Sequence, residues 1–366
     1  MAATKTPGRV AREAYTLVQR YGPACAAAHG ISVPKQFAQL YWLGMVRGLT
    51  GDAYYRYWLF RPERFRSAQH YLQWHECAML YRVIAVREAT DDFAVLEDKH
   101  RFAAWCREQR LPTVPVLGEF RDGAAYPADS ERLLIPDQDV FSKPSNQYGG
   151  VGTRLWRYVP DRRWVDEHTG ASHSHETMLA TLAEQSKAGP LILQPRLVND
   201  ASLRPFASMA LCTLRLVTAR RPDADPELVA AAFRTGAGRS PSDNFSDGGI
   251  AVAVEPTTGR LRHGIRRDQQ TLVAEVRRHP DTGVEFHGFR LPKWEEAVTL
   301  ALTAHRRLRA MPFVGWDIAF TPDGLVLLEG NFNPGVSIVQ AGWGVPLGET
   351  VYPRYLDAHL RRSFAR

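Results

Sequence analysis

The most restrictive stretch of this 366-residue chain is FVGWDIAFTPDGLVLLEGNFNPG, residues 313–335. Two apolar runs flank Thr-Pro-Asp-Gly, an arrangement that fits a β-hairpin and little else. Pro322 suits position i+1 of a type I turn, Asp323 suits i+2, and Gly324 accepts the left-handed residue of a G1 bulge. A three-residue loop over 322–324 pairs Thr321 with Leu325, and counting back pairs Phe320 with Val326, Ala319 with Leu327, Ile318 with Leu328 and Asp317 with Glu329. Directly opposed residues share a face, with Cβ atoms about 5 Å apart. Asn331, two residues on, points the same way. Trp316, Ile318, Phe320, Val326 and Leu328 on the other face read as core. A two-residue loop would turn Asp317 and Glu329 to opposite faces, so the reading depends on this register.

Two carboxylates sharing a site cannot both ionise cheaply. A divalent cation relieves the conflict, because magnesium takes hard oxygen ligands, often one or two carboxylates plus substrate phosphates. A neighbouring arginine at an exposed strand end would also relieve it. Asn331, Asn333 and the Pro334-Gly335 turn that follow favour the metal.

Phosphate-directed residues lie upstream. SKPSNQYGGVGTRL puts Lys143 at a strand end and Gly149, Gly150 and Gly152 in the turn back. Glycines let backbone N–H groups approach phosphate oxygens, and a lysine adds a point charge. The segment is neither G-x-G-x-x-G nor a Walker loop, and a flexible hairpin loop accounts for it equally well. LCTLRLVTA places Arg215 inside an apolar strand, on a face with Thr213 and Val217. A buried arginine needs an anionic partner: a phosphate held bidentately or a structural ion pair. AAAFRTG repeats the situation at Arg234, and SDNFSDGG adds Asn244 before Gly248-Gly249.

The rest of the chain supplies the frame. Over 1–95, REAYTLVQRYG, PKQFAQLYWLGMVRGL and SAQHYLQWHECAMLYRVIAV space apolar residues as helices do. Their aromatics (Tyr41, Trp42, Tyr54, Tyr55, Tyr57, Trp58, Tyr71, Trp74) are expected to pack between helices. From 96 onwards helices and strands alternate, giving a mixed α+β fold whose second half is mostly antiparallel. Three divisions are expected: a helical domain over 1–95, a subdomain over 96–190, and a second over 191–366 with a C-terminal helix. Four scattered cysteines, no signal-peptide stretch and no long apolar run point to a free-thiol, cytoplasmic protein with no membrane partner. The net charge of +7 invites nucleic acid, but acids are interspersed along the whole chain and no nucleic-acid motif is present, so no nucleic-acid partner is expected. His173, His175 and His279 read as surface or turn residues.

Together these residues resemble the ATP-grasp superfamily. Gly315-Trp316-Asp317 with Glu329-x-Asn331-x-x-Pro334-Gly335 resembles the metal hairpin of ATP-grasp ligases, and TLRLV…AAAFRTG…SDNFSDGG is similar to the middle of ligases that add glutamate to ribosomal protein. LEDKHRF, FSKPSNQYGGVG, LILQPRLVND and HPDTGVEFHGFRLPKW resemble the sugar-transfer-associated ATP-grasp family over about residues 90–340. The resemblance implies an ATP-grasp fold, two α+β subdomains sandwiching ATP, behind an N-terminal helical domain. It implies Lys99 and Lys143 on the α- and β-phosphates, with Gly149 and Gly150 in the phosphate loop. Gln194, Pro195, Arg196 and Leu197 would form the adenine hinge, departing from the usual Glu and Lys, and Asn199 or Asp200 would lie near the ribose. Asp317, Glu329 and Asn331 would ligate Mg²⁺, two ions on the family pattern with Mn²⁺ as an alternative. Arg215, Arg234 and Asn244 would hold the γ-phosphate or an acyl phosphate, and HPDTG would sit at the acceptor rim. The activity implied is a carboxylate–amine ligase acting through an acyl phosphate on small-molecule or peptide substrates in natural-product or polysaccharide-associated biosynthesis. The alternative is a kinase of the same fold that phosphorylates a sugar. The oligomeric state is left open, a homodimer among the options.

Overall fold

The computed structural model describes residues 6–49, 51–73, 79–84, 91–127, 133, 135–147, 152–206, 209–238 and 242–365. Two sheets organise them. The first contains β1 (Gly118–Arg121), β2 (Ala124–Pro127), β3 (Val140–Pro144), β4 (Arg154–Val159), β5 (Arg163–Asp166), β6 (Ser172–Ser174) and β7 (Leu191–Pro195), in the order β2-β1-β7-β3-β4-β5-β6. The second contains β8 (Thr213–Ala219), β9 (Glu227–Thr235), β10 (Ile250–Val254), β11 (Leu261–Asp268), β12 (Leu272–Val276), β13 (Phe313–Thr321) and β14 (Gly324–Asn331), in the order β12-β11-β10-β9-β8-β13-β14. Neighbouring strands are antiparallel in both.

β7 lies between β1 and β3, so the first sheet closes after Pro195 and the expected division at 190/191 would cut through it. Its core holds Phe120, Val140, Trp156, Trp164 and Leu193, with Met178 and Leu182 from the helix His175–Gln185. The helix Lys99–Glu108 starts at an Asp98 cap, whose Oδ1 accepts from the Arg101 N–H at 2.9 Å. It packs Phe102 and Cys106 into the core of the second sheet, not the first.

Alternation along the second sheet makes two apolar faces. Leu214, Leu216, Phe233, Val252, Trp316 and Ile318 face the helix Trp294–Arg307. Ala251, Ile265 and Val273 point to the other face and join Tyr54, Tyr55, Tyr57, Trp58 and Tyr71 in one core. The Trp58 indole N–H donates to the Val273 carbonyl at 3.1 Å. The N-terminal helices are therefore a layer of the second sheet and share a core with it. Trp42 departs from the expected packing, being 41% exposed, and Trp74 lies outside the described residues.

The sequence predicts one helix across 67–86, but the chain leaves helical geometry at Tyr71–Gln73. Gln340, fully buried, explains the break. Its Oε1 accepts from the Leu72 N–H and its Nε2 donates to the Leu72 carbonyl, both at 2.9 Å. An extended backbone satisfied on both sides by one amide competes well with another helical turn. No described helix is long and apolar enough to cross a membrane.

Candidate active site

The hairpin register differs from the expected one in a way that preserves its consequence. Thr321 opposes Gly324, so only Pro322 and Asp323 form the tip. The ladder runs Phe320–Leu325, Ala319–Val326, Ile318–Leu327 and then jumps to Asp317–Glu329. Leu328 is the extra residue of a β-bulge, and the bulge cancels the one-residue slip that the shorter turn introduces. Leu327 therefore enters the core with Trp316, Ile318 and Phe320, where the expected register put Val326 and Leu328. Asp317 and Glu329 face each other after all.

Asp317 is 3% exposed, and its charge is answered by arginines. Directly across β8 is Arg215, whose Nε donates to Asp317 Oδ1 and whose second guanidinium nitrogen donates to Oδ2 at 2.9 Å. Arg234, next along on β9, donates to the same Oδ2 at 2.8 Å. Burial pushes the Asp317 carboxyl up, but the two guanidiniums outweigh burial and hold it well below the usual carboxylate range. Arg234 is a cation held by several acids: burial opposes its charge, and Asp243, Asp317 and Glu329 more than restore it. Asp243, which the sequence reading passed over beside Asn244, reaches Arg234 Nε at 3.5 Å and accepts from the Thr213 hydroxyl.

Pro334-Gly335 serves this ion cluster. The Pro334 carbonyl accepts from Arg215 at 3.1 Å, and Gly335, at φ +72°, passes so close that a Cβ there would lie 2.6 Å from the guanidinium. Gly315 has the matching constraint, since its Cβ would meet the Pro334 backbone at 2.6 Å. The turn is a cover folded over Arg215, which only glycine at both positions permits.

Glu329 adjoins this cluster but is placed differently. Among the described residues it forms no ion pair, and its carboxyl accepts from the Asn331 amide at 3.2 Å. Burial, and then the neighbouring Asp317, raise its pKa; Lys99 and Arg215 act in the other direction. Lys143 lies close enough to feel both Glu329 and Lys99: burial lowers its pKa, Glu329 opposes this and Lys99 adds to it. The Lys99 ammonium donates to the Gln147 carbonyl, and the Lys99 N–H donates to the Ser145 carbonyl at 2.9 Å, joining the helix start to the end of β3. Asn333 buries both side-chain amide atoms without a hydrogen-bond partner among the described residues, and a native site supplies one from a ligand or ordered water. A carboxylate with no ion pair among the described residues and amide oxygens beside it are hard ligands of the kind magnesium takes, and Lys99 and Lys143 lie near enough to Glu329 to serve phosphates bound with the ion. The residues fit magnesium, with Glu329 and Asn331 nearest to hand.

One cavity of about 330 Å³ gathers much of this: Arg215, Arg234, Asn244, Glu329 and Asn331 line it, joined by Arg56 and Arg267, which the sequence reading missed. The expected hinge residues do not line it. Arg196 donates to the Asp139 carboxylate at 2.8 Å, and the Gln194 amide donates to the Val114 carbonyl at 3.4 Å. Pro195 and Leu197 continue the exit of β7. Asn199 is a staple: its amide donates to the Ala210 carbonyl at 2.9 Å and accepts from the Cys212 N–H at 2.7 Å. Asp200 caps the following turn at Ser202 and donates its backbone N–H to Phe320, tying the exit of β7 to β13. Gly149 and Gly150 lie outside the described residues. His279 is fully buried and not on the surface; its Nε2 pairs with the Gly236 carbonyl at 3.0 Å, and Asp281 of the same turn accepts from the Gly238 N–H. HPDTG thus clips the exit of β9 in place.

The profile of the sugar-transfer associated ATP-grasp family matches residues 83–351. The chain belongs to that family. Residues 1–82, including most of the helical layer, fall outside the match. Among curated protein sequences none matches the chain. Solved structures similar to this ATP-grasp protein share little sequence with it. D-alanyl-alanine synthetase A from Vibrio cholerae aligns at 11% identity with a TM-score of 0.42, covering 75% of this chain and 67% of that one. The D-alanine–D-alanine ligase of Bacillus anthracis aligns at 12% and 0.40, covering 75% and 69%. The ATP-grasp ligase PsnB, complexed with a minimal precursor, aligns at 14% and 0.40, covering 74% and 63%.

Proposed function

We propose that this ATP-grasp family member is an ATP-dependent carboxylate–amine ligase that forms an amide through an acyl phosphate. The observation that carries the reading is that Glu329 and Asn331 line one cavity with the Arg215–Arg234 pair and also line, with Lys99, a smaller pocket beside it, where Lys143 is near enough to interact with Glu329 and Lys99. On this reading the first sheet and its helix are the nucleotide-binding subdomain and the second sheet the catalytic one. Glu329 and Asn331 would hold Mg²⁺ or Mn²⁺, with Asp317 buttressing them; the metal supplies neutralisation of phosphate oxygens.

A substrate carboxylate oxygen attacks the γ-phosphorus of ATP, and the bond to the β-phosphate oxygen breaks, leaving ADP with the electron pair. Lys99 and Lys143 offset the charge that accumulates on the departing diphosphate. Arriving phosphates also favour the charged form of Lys143, against which burial acts. An amine nitrogen then attacks the acyl carbon, phosphate leaves, and the nitrogen gives up its proton to the released phosphate or to solvent. Arg215 and Arg234, fixed by Asp317, present N–H groups to the oxyanion without having to reorganise.

The test is an ADP-release screen over carboxylates and amines with mass spectrometry of the products. Amide plus inorganic phosphate, formed only when both acceptors are present, is the expected result. A phosphorylated acceptor with no free phosphate would install the kinase in its place, and absence of ADP release across the panel would end the reading.

A further inference from the structure

The cavity does not stop at the arginine pair above the carboxylates. It continues across the second sheet to Arg267, Leu272 and Val273, and Arg56 and Ile338 close it from the helices Gly51–Arg56 and Val336–Trp343. Register shows how this extension is built. Arg234 opposes Ala251 on β10, Ala251 opposes Ile265 on β11, and Arg267 follows two residues later on the same face. With strands about 4.8 Å apart and about 3.4 Å of rise per residue, the backbones of Arg234 and Arg267 are roughly 12 Å apart.

Phe245 and Ile338 line the cavity with Ser246, and Leu272 and Val273 add an apolar flank at the far end, where Val273 of β12 opposes Arg267. The far end is basic. Arg267 has neither an ion pair nor a side-chain hydrogen bond among the described residues. Arg56 is steadied by Asp52 at 2.5 Å, one turn earlier on its helix, and keeps further N–H donors for a ligand. A solvated arginine at the end of this cavity is poorly explained by the fold. Among the described residues its side chain holds nothing together, and near the end of β11 a shorter polar residue would serve as well.

We infer that the carboxylate substrate is a dianion: one carboxylate is activated beside Arg215 and Arg234, a spacer of several carbons lies along Phe245 and Ile338, and a second anionic group, carboxylate or phosphate, is held by Arg56 and Arg267. This rests on the ligase reading for the role of the first carboxylate. Arg56, one of the two arginines that hold the second anion, lies outside the part of the chain that the family profile matches, so the helical layer acts as a specificity element.

Calorimetric titration of the full chain without nucleotide tests the pocket independently of catalysis. The probes are heptanoate, pimelate and 6-phosphonohexanoate, which share a spacer and differ at the far end. Pimelate or the phosphonate is expected to bind about tenfold or more tightly than heptanoate, and whichever gains more identifies the second anion. Arg267→Gln, an exposed change, and Arg56→Gln should each remove most of that advantage, and Arg56→Lys should restore part of it. Equal affinity for all three probes, or an advantage that survives in the Arg56→Gln/Arg267→Gln double variant, overturns the inference. A clear preference for the dianions with no ADP release from any amine would leave the pocket standing and remove the ligase.

Discussion

Asp317 and Glu329 oppose each other in one hairpin, yet the surroundings give them different roles. Asp317 is locked between Arg215 and Arg234, and removing one partner of a buried ion cluster costs about 3–5 kcal/mol because the others are left uncompensated. Asp317→Asn is therefore expected to lower the denaturant midpoint strongly as well as abolish turnover, and loss of turnover with unchanged stability would contradict the ion-cluster role. Glu329 is the cleaner probe. Its folded pKa is raised, so stability falls as pH rises above the ordinary carboxylate value and the group is forced to ionise. Glu329→Gln should raise the stability of the ligand-free protein at neutral pH by on the order of 1 kcal/mol. It should also cost at least about 100-fold in ATP turnover and erase any stabilisation by Mg²⁺. Thermal melts with and without magnesium check both halves, and a destabilised variant would show that Glu329 is an ordinary structural acid.

At the scale of elements, β13 is positioned from behind by a hydrogen-bonded relay. The Trp316 indole donates to Thr218 at 2.9 Å, Thr218 Oγ1 pairs with His305 Nδ1 at 2.7 Å, and His305 Nε2 donates to the Met311 carbonyl at 2.9 Å. That ties the helix Trp294–Arg307 to the strand carrying Asp317. Burial pushes the His305 pKa down to about 3, against an ordinary value of 6.5. The unfolded chain then binds the extra proton below pH 6.5, so the stability from this group is complete above that pH and drains away towards pH 3. Denaturation curves between pH 7 and 4 should fall less steeply for His305→Asn than for the parent, although the variant starts lower. An identical slope would mean that His305 is already charged in the fold. Gln340 ties elements together in the same manner, and Gln340→Leu, nearly isosteric, should cost about 2–3 kcal/mol by orphaning the Leu72 amide and carbonyl.

For the whole molecule, the second sheet carries a core on both faces, and the outer one is completed by residues before 73. A chain beginning at residue 74 would expose Ala251, Ile265, Leu272 and Val273 beside the cavity mouth. It is expected to bind hydrophobic dyes and aggregate, patches of this kind being rare on soluble monomers. A monodisperse truncated protein with the parent melting temperature would show that the helical layer is a dispensable appendage.

Much was legible in the residues alone. Helices, strands, the antiparallel second half and the hairpin follow from periodicity and turn chemistry, which are local. The opposition of Asp317 and Glu329 was also legible, but by a route with two compensating features, since neither the two-residue tip nor the bulge at Leu328 has a sequence signature. What tertiary structure alone decided is long-range: that Arg215 and Arg234 spend their charge on Asp317, that Asn199 and Arg196 serve the scaffold, that β7 belongs to the first sheet, and that Arg56 shares a cavity with Arg267. Sequence spacing specifies which face a side chain takes, whereas its electrostatic partner depends on which strand comes to lie alongside, and that is a property of the packed chain.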